Sequence, residues 1–558
     1  MRLGLCQIDT VQGDPRRNLG RIVEAAHEAR AAGADWAVFP ELALPGYLPG
    51  DLLARPGFVA ALAAWEAELA ARLPAGLGVL VGSIGRAGEG AGKALRNEAL
   101  AIRDGRILAR RAKSMLPTYD VFDEARYFRP ATERRPVDLD GRLAAVTICE
   151  DLWAGQPTGL EVPDYGIDPA AELVSAGAEF VLNLSASPYS HGRPAHRTAL
   201  AASVATRLGR PVALVNLVGG DDDVLFDGSS VLVDARGRVI RRLASFAEEI
   251  AVVDVDAAGS EAAATELAPI EEVRRALVMG IRDYFRKTGV ERAVLGLSGG
   301  IDSAVVAVLA AEALGPDRVT AVAMPSEYSA SMSEEDARAL AGRLGLDYRV
   351  APIGEAYAAM RAALGPALDG EPAGIVLENL QPRLRGTLLM GVSNATGALL
   401  LATGNKSELA VGYCTLYGDM CGALAVIADL LKTEVYELAR HLNRDGEIIP
   451  LRTLERPPSA ELRPDQRDTD SLPDYAVLDP IIRRFVVDRS SEDEIVAEGF
   501  EPGIVRSVLD RISANEYKRR QMPPGLRVSA KAFGVGRRKR LAAGPQRVEW
   551  PEREGERR

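Results

Sequence analysis

The run Leu297-Ser298-Gly299-Gly300-Ile301-Asp302-Ser303 lies between an apolar stretch at 293–296 and an apolar-periodic stretch at 305–314. That order predicts a strand, a glycine turn and a helix, with Asp302 and Ser303 opening the helix. Two adjacent glycines let the backbone turn tightly without a Cβ, so amides and hydroxyls can surround a phosphate. The helix N-terminus adds a partial positive charge to that place. The spacing is not that of a Walker A loop, whose lysine is absent, nor that of a dinucleotide fingerprint.

At 558 residues the chain exceeds one ordinary core, so two large domains or three smaller ones are expected. Its 47% hydrophobic and 26% charged residues fit a soluble globular protein. A net charge of −11 argues against a nucleic-acid partner, which would need a basic face. The basic cluster Arg537-Arg538-Lys539-Arg540 reads as a solvated tail. No apolar run is long enough to cross a bilayer, and Asp9 comes too early for a signal peptide. The four cysteines include no C-x-x-C pair, so neither a disulfide framework nor a zinc site is expected, and a reducing cytoplasm is.

In the first half, strands are predicted at 3–8, 34–39, 78–84, 98–103, 143–149, 180–184, 211–217, 229–233 and 250–255, with helices at 15–32, 52–72 and 196–208. This alternation indicates an α/β or α+β sandwich. Three polar residues stand where strands or strand-like runs end: Glu41, Lys113 and Cys149. A thiol nucleophile needs a base to take its proton and a cation to stabilise thiolate and oxyanion, and these residues supply all three functions. Cys6, by contrast, reads as a small core residue. With its flanks Phe39-Pro40-Glu41-Leu42, Arg111-Ala112-Lys113-Ser114 and Ile148-Cys149-Glu150-Asp151, the half-chain resembles the nitrilase superfamily. The resemblance implies Glu41 as general base, Lys113 as electrostatic stabiliser, Cys149 as nucleophile and Glu124 as a second glutamate. In the glutaminase branch it also implies Tyr119, Ser187 and Arg193 as glutamine-binding residues.

The second half begins after an alanine-, glycine- and acid-rich linker at 256–266, with a helix at 270–287 before the glycine turn. A strand at 319–324, an amphipathic helix at 333–344 and a strand at 347–350 continue a β-α pattern, so a parallel sheet with a nucleotide at its strand ends is expected. The stretch 378–386 precedes a helix running toward 400, and 401–413 reads as strand, polar turn and helix. The turn Ser298–Ser303 resembles the pyrophosphate loop of ATP pyrophosphatases. The later motifs at 378–386, 401–413, 429–433, 459–464, 468–473 and 517–521 resemble the synthetase domain of NAD synthetases. That resemblance implies ATP contacts at Gly296, Leu297, Ser298, Gly299, Gly300, Ile301, Asp302, Ser303 and Thr403. It implies Asp302 and Glu408 as Mg²⁺ ligands, Glu408 alternatively touching the dinucleotide, and Asn379, Glu408, Tyr413 and Lys518 as deamido-NAD contacts. Pro382 departs from the small residue expected there.

The order of the halves resembles the glutamine-dependent NAD synthetase family. The implied fold is α/β: a nitrilase-like αββα sandwich at 1–258, a Rossmann-like ATP pyrophosphatase domain at 259–540, and a tail at 541–558 that matches nothing and reads as disordered. The implied reaction is amidation of deamido-NAD with ATP and glutamine, Mg²⁺ as cofactor, in a homo-oligomer without nucleic-acid or membrane partners. Other glutamine-fed ATP pyrophosphatases fit less well. Residue 2 is Arg, so the N-terminal cysteine of asparagine synthetases is absent, and the cysteine flanks of GMP synthetases are not present. A nucleotide-binding regulator with a nitrilase scaffold is disfavoured by the intact Glu41, Lys113 and Cys149.

Overall fold

The structure is a computed structural model that describes residues 1–88, 92–155, 163–259, 267–368 and 370–542. Residues 260–266 of the expected linker and 543–558 of the expected tail lie outside the described residues. The chain forms two compact units. The first comprises Met1–Glu291, Glu312–Leu314 and Leu526–Ala530; the second takes Arg292–Ala311, Gly315–Gly525 and Lys531–Arg558.

The first unit's strands are β1 (Arg2–Gln7), β2 (Trp36–Val38), β3 (Gly78–Arg86), β4 (Leu95–Arg103), β5 (Arg106–Ala112), β6 (Val137–Leu139) and β7 (Arg142–Ile148). They continue with β8 (Phe180–Ser185), β9 (Val212–Asn216), β10 (Val218–Asp221), β11 (Val224–Asp227), β12 (Val231–Val233), β13 (Val239–Arg242) and β14 (Glu249–Asp254). One six-stranded sheet has the order β14-β1-β2-β3-β4-β5, the other β13-β12-β9-β8-β7-β6, and β10 and β11 form a separate hairpin. Alternation along β1 shows how the layers arise: Leu3 and Leu5 face the core between the sheets with Trp36, Val146, Phe180 and Val215. Cys6 faces the other way, with Leu19 and Ile22 of α1 (Pro15–Ala31) and Leu69 of α2 (Pro56–Arg72). Across the second sheet, α3 (Pro169–Ser175) and α4 (Arg193–Leu208) bury Leu173, Leu200 and Val204 against Val181 and Leu214. This is the expected αββα sandwich.

Helix α5 (Pro269–Thr288), which the sequence groups with the second half, packs in the first unit. Its Asp283 accepts from the Gly220 N–H at 3.0 Å, and Lys287 Nζ donates to the Thr10 carbonyl at 2.7 Å. The short stretch Leu526–Ala530 also belongs here. Arg527 pairs with Asp120 at 2.5 Å and donates its N–H to the Asp223 carbonyl, while the His191 N–H donates to the Val528 carbonyl.

The second unit carries β15 (Ala293–Gly296), β16 (Val319–Ala323), β17 (Asp347–Val350), β18 (Leu399–Ala402) and β19 (Leu424–Ala425). All pair in parallel, in the order β17-β16-β15-β18-β19. The helices are α6 (Ile301–Leu314), α7 (Ser331–Leu344), α8 (Gly354–Leu364), α9 (Ile375–Thr396), α10 (Lys406–Val411) and α11 (Lys432–Leu442), followed by a helical layer that packs Leu478, Val505 and Ile512 on Leu409. The strand order reverses between β15 and β18, and ligands of such sheets bind outside the strand ends at that reversal. The loops after β15 and β18 begin there. One local expectation is corrected: residues 378–386 are not a lead-in to a helix but part of α9, with Pro382 inside it.

Among the described residues no helix is long and apolar enough to cross a membrane.

Candidate active sites

In the first unit, Glu41 follows β2 on a turn that lies directly on β3. A Cβ at Gly82 would stand 2.1 Å from the Leu42 nitrogen, so only glycine lets this turn pass. Lys113 follows β5, its N–H donating to the Asn97 carbonyl on β4 at 2.9 Å. Cys149 follows β7 and opens a short 3₁₀ turn, Cys149–Leu152, with φ at +41°. That left-handed conformation is unusual for a non-glycine residue and marks a position fixed by its surroundings. The fixing group is Asp151: its carboxylate accepts N–H bonds from Ser114, Met115 and Ile148 at 2.9, 2.8 and 3.1 Å, tying the cysteine turn to the lysine segment. Burial outweighs those bonds and lifts Asp151 to about 6.

Four predicted residues converge. Glu41, Lys113, Glu124 and Cys149 are 0, 1, 0 and 4% exposed. Lys113 Nζ lies 2.7 Å from both Glu41 Oε1 and Glu124 Oε1. The Ala186 N–H donates to Glu41 Oε2 at 3.1 Å. Burial opposes the Lys113 charge, but Glu124 and Glu41 outweigh it and hold its pKa well above the ordinary value. Burial, and to a lesser degree the field of Glu41, push the Cys149 thiol up, and Lys113 draws it back. A thiol so placed rests protonated and needs a base when it reacts. Burial lifts Glu124 against the pull of Lys113, with Glu41 adding to the rise.

Tyr119 donates to Glu150 at 2.9 Å, and Arg193 opens α4 with its guanidinium 4.4 Å from the Trp153 ring centre. Tyr119 and Arg193 each feel the charge of the other and of Cys149, so all three lie near one another. Ser187 is buried one residue beyond Ala186. Its N–H donates to Asn216 Oδ1 at 2.8 Å and its hydroxyl accepts from Arg197 at 3.5 Å. Asn97 was not foreseen. Its amide donates to Glu41 Oε1 at 2.7 Å and to Glu124 Oε2 at 3.5 Å, holding both carboxylates. The only signal was the polar run Arg96-Asn97-Glu98 at the head of an apolar strand.

In the second unit a cavity of about 410 Å³ opens at the ends of β15 and β18. It is lined by Gly296, Leu297, Ser298, Gly300, Ile301, Asp302, Ser303 and Thr403, and also by Asn379, Glu408, Tyr413 and Lys518. Of the predicted residues here, Gly299 alone is not in the lining. The loop is self-bonded: Ser298 and Ser303 hydroxyls lie 3.1 Å apart, and Ser303 Oγ donates to the Gly300 carbonyl at 3.0 Å. Asn379 Oδ1 accepts from Thr415, and Tyr413 accepts from Gln466 at 3.4 Å. Lys518 donates to the carbonyls of Gly412 and Cys414 at 2.7 and 2.8 Å.

Asp302 and Glu408 meet at a residue whose motif was noted without a role. Lys432 Nζ makes a short ion pair with Asp302 Oδ2 and lies 3.5 Å from Glu408 Oε1, while Asn405 donates to Asp302 Oδ1 at 3.0 Å. Burial, and then the charge of Asp302, raise Glu408 to about 8 despite Lys432. Two hard oxygen donors sharing one buried cation suit Mg²⁺ held partly by phosphate oxygens. Among the described residues no cluster of three or more His, Cys, Asp or Glu side chains is arranged to hold a metal unaided.

Fold and sites together define a nitrilase-type hydrolase unit joined to a phosphate-loop α/β unit. The carbon-nitrogen hydrolase family model matches residues 2–265 and the NAD synthase model matches residues 273–523. The glutamine-dependent NAD(+) synthetase of Synechocystis sp. is 46% identical over 97% of this chain and 98% of its own. A solved glutamine-dependent NAD+ synthetase from Acinetobacter baumannii, in complex with adenosine diphosphate, is 36% identical with a TM-score of 0.75, covering 97% of this chain and 98% of that one. That of Cytophaga hutchinsonii, 22% identical with a TM-score of 0.83 over 98% of each chain, shares the fold. The chain belongs to the glutamine-dependent NAD(+) synthetase family.

Proposed function

We propose that this chain amidates deamido-NAD to NAD, using ATP to activate the carboxylate and glutamine as the nitrogen source. The observation that carries the reading is the presence, in one chain, of a buried Glu41–Lys113–Glu124 set around the Cys149 thiol and of a phosphate-loop cavity with two carboxylates on one lysine.

In the first unit Glu41 takes the Cys149 proton as sulfur attacks the glutamine carboxamide carbon. Lys113 stabilises the developing oxyanion, and the proton passes to the departing nitrogen, leaving a glutamyl thioester and ammonia. Water, deprotonated by the same base, then releases glutamate. Glu124, kept beside Lys113 by Asn97, steadies the lysine; Tyr119, Ser187 and Arg193 orient the glutamine backbone groups. In the second unit the Ser298–Ser303 loop and Thr403 hold ATP, and Asn379, Tyr413 and Lys518 hold the dinucleotide. Asp302, with Glu408 as the second donor, would hold Mg²⁺, which supplies charge neutralisation at the phosphates. The deamido-NAD carboxylate displaces pyrophosphate, and neutral ammonia then displaces AMP from the adenylate.

We further place the protein in the cytoplasm, a reading supported by four free thiols, and take it to be a homo-oligomer, which light scattering at the monomer mass would overturn. The activity is tested by AMP formation with each candidate acceptor supplied in turn. Deamido-NAD is expected to support it; AMP formation only with another carboxylate would overturn the proposal.

A further inference from the structure

One peptide plane of the phosphate loop is oriented from outside the loop. Gly299, at φ +81°, turns the Gly299–Gly300 plane over, and a Cβ there would stand 2.1 Å from the Ser333 carbonyl oxygen. In a trans peptide the C=O and N–H point in opposite directions. The Gly299 carbonyl accepts from Arg456 Nη2 at 2.9 Å and from Thr453 Oγ1 at 3.5 Å. On the opposite edge, the Gly300 N–H is directed to Ser298 Oγ at 3.2 Å. Ser298 and Gly300 line the cavity, as do Arg456, Thr453, Ser333 and Glu461 at its edge beyond the loop, whereas Gly299 does not. A carbonyl turned to that cavity would meet phosphate oxygens with like partial charge, whereas an N–H offers them a donor.

The guanidinium is itself braced. Arg456 Nη1 donates to Ser333 Oγ at 2.6 Å and lies 3.5 Å from Glu461 Oε1. Glu461 accepts from Ser333 Oγ at 2.6 Å and from the Ala330 N–H at 3.3 Å. Its own φ is +49°, a strained value for glutamate that persists only where neighbours enforce it. The motif 459–464 stood out in the sequence without a role, and this brace gives it one.

We propose that Arg456, braced by Ser333 and Glu461, is a positioning residue that fixes the Gly299–Gly300 plane so that its N–H edge serves the pyrophosphate portion of the bound nucleotide. This rests on the reading of the cavity as an ATP site. The test uses the full chain in ammonium-driven synthesis, with inorganic pyrophosphate as inhibitor. Losing a hydrogen bond from a charged donor is worth roughly tenfold or more. In Arg456→Ala the KM for ATP and the pyrophosphate inhibition constant should both rise by about that factor, with kcat changed less. Arg456→Lys keeps a donor and should recover most of the pyrophosphate affinity. A kcat for ammonium-driven synthesis near the wild-type value reports that the second unit is folded. A merely structural role would lower Tm in both variants alike and leave the inhibition constant where it is. Unchanged pyrophosphate inhibition in folded Arg456→Ala overturns the proposal. If that variant does not fold, unchanged pyrophosphate inhibition in folded Glu461→Ala, which removes the brace on Arg456, overturns it instead. A wild-type chain that forms no AMP and ignores pyrophosphate would overturn the ATP reading, a distinct result.

Discussion

Lys113 stands between two buried carboxylates and is the cation that lowers the Cys149 pKa, so its removal should show in two separate measurements. Lys113→Met leaves Glu41 and Glu124 without their cation, and breaking a buried pair typically costs about 3–5 kcal/mol, so thermal unfolding should move down. In the protein that remains folded, alkylation of Cys149 should shift to higher pH, and glutamine hydrolysis should fall by roughly 10²–10³. A wild-type alkylation profile with hydrolysis retained would return Lys113 to a structural role. At this scale the sequence was most informative where chemistry demands one residue type at a strand end, as at Glu41, Lys113 and Cys149. It was least informative where a neutral or paired side chain works through others. Asn97 and Lys432 do their work by holding carboxylates that lie far from them in sequence. Nothing in their own flanks states that.

Single elements are held in place by equally local devices. Lys287, near the end of α5, reaches Asp221 at 2.7 Å and Asp9 at 3.0 Å. Burial lifts Asp221 to about 7 and Asp9 to about 6, against the pull of Lys287; Asp9 also faces Arg286 and Asp283, and Asp221 faces Asp222. An acid whose folded pKa is raised stabilises the fold below its unfolded pKa and loses that contribution as pH rises through the folded value. Lys287→Met removes a lowering influence from both acids, so the loss of Tm should be larger at pH 8 than at pH 5.5. Equal losses at the two pH values would show that the pair does not titrate as argued. Gly299 makes a comparable demand on the turn before α6. Gly299→Ala would force Cβ against Ser333 at positive φ, so synthesis should fail through a raised KM for ATP, with glutamine hydrolysis kept. Normal ATP dependence would show that the turn tolerates the methyl group. Among the strands the sequence reading left out, β5 shows a physical reason. In β5 (Arg106–Ala112) the residues alternate between exposed and half-buried over most of its length, and three of the seven are arginines, so no apolar run marks it. Pro382, which departs from the small residue expected there, is buried inside helix α9 beside Gly418.

On the scale of the whole molecule, the two chemistries should be separable by substitution. Cys149→Ala removes a single sulfur atom from a site whose other groups hold one another, so the fold should survive with a modest packing loss. Synthesis from glutamine should vanish, and synthesis from ammonium at high concentration should remain. NAD formation from glutamine at the wild-type rate would place the nucleophile elsewhere. Asp302→Ala should give the mirror result, with no synthesis from either nitrogen source and basal glutamine hydrolysis retained; ammonium-driven synthesis at the normal rate would remove Asp302 from the metal assignment.

Chain path sets a different limit. Leu526–Ala530 belongs to the first unit although the residues on both sides belong to the second. On a ribosome the first unit therefore stays unfinished, with Asp120 still without Arg527, until nearly the whole chain has been made. For the same reason one break in the gene cannot divide this protein into two complete enzymes. A shortened gene ending at residue 525 would encode a hydrolase unit lacking a stretch of itself, Leu526–Ala530.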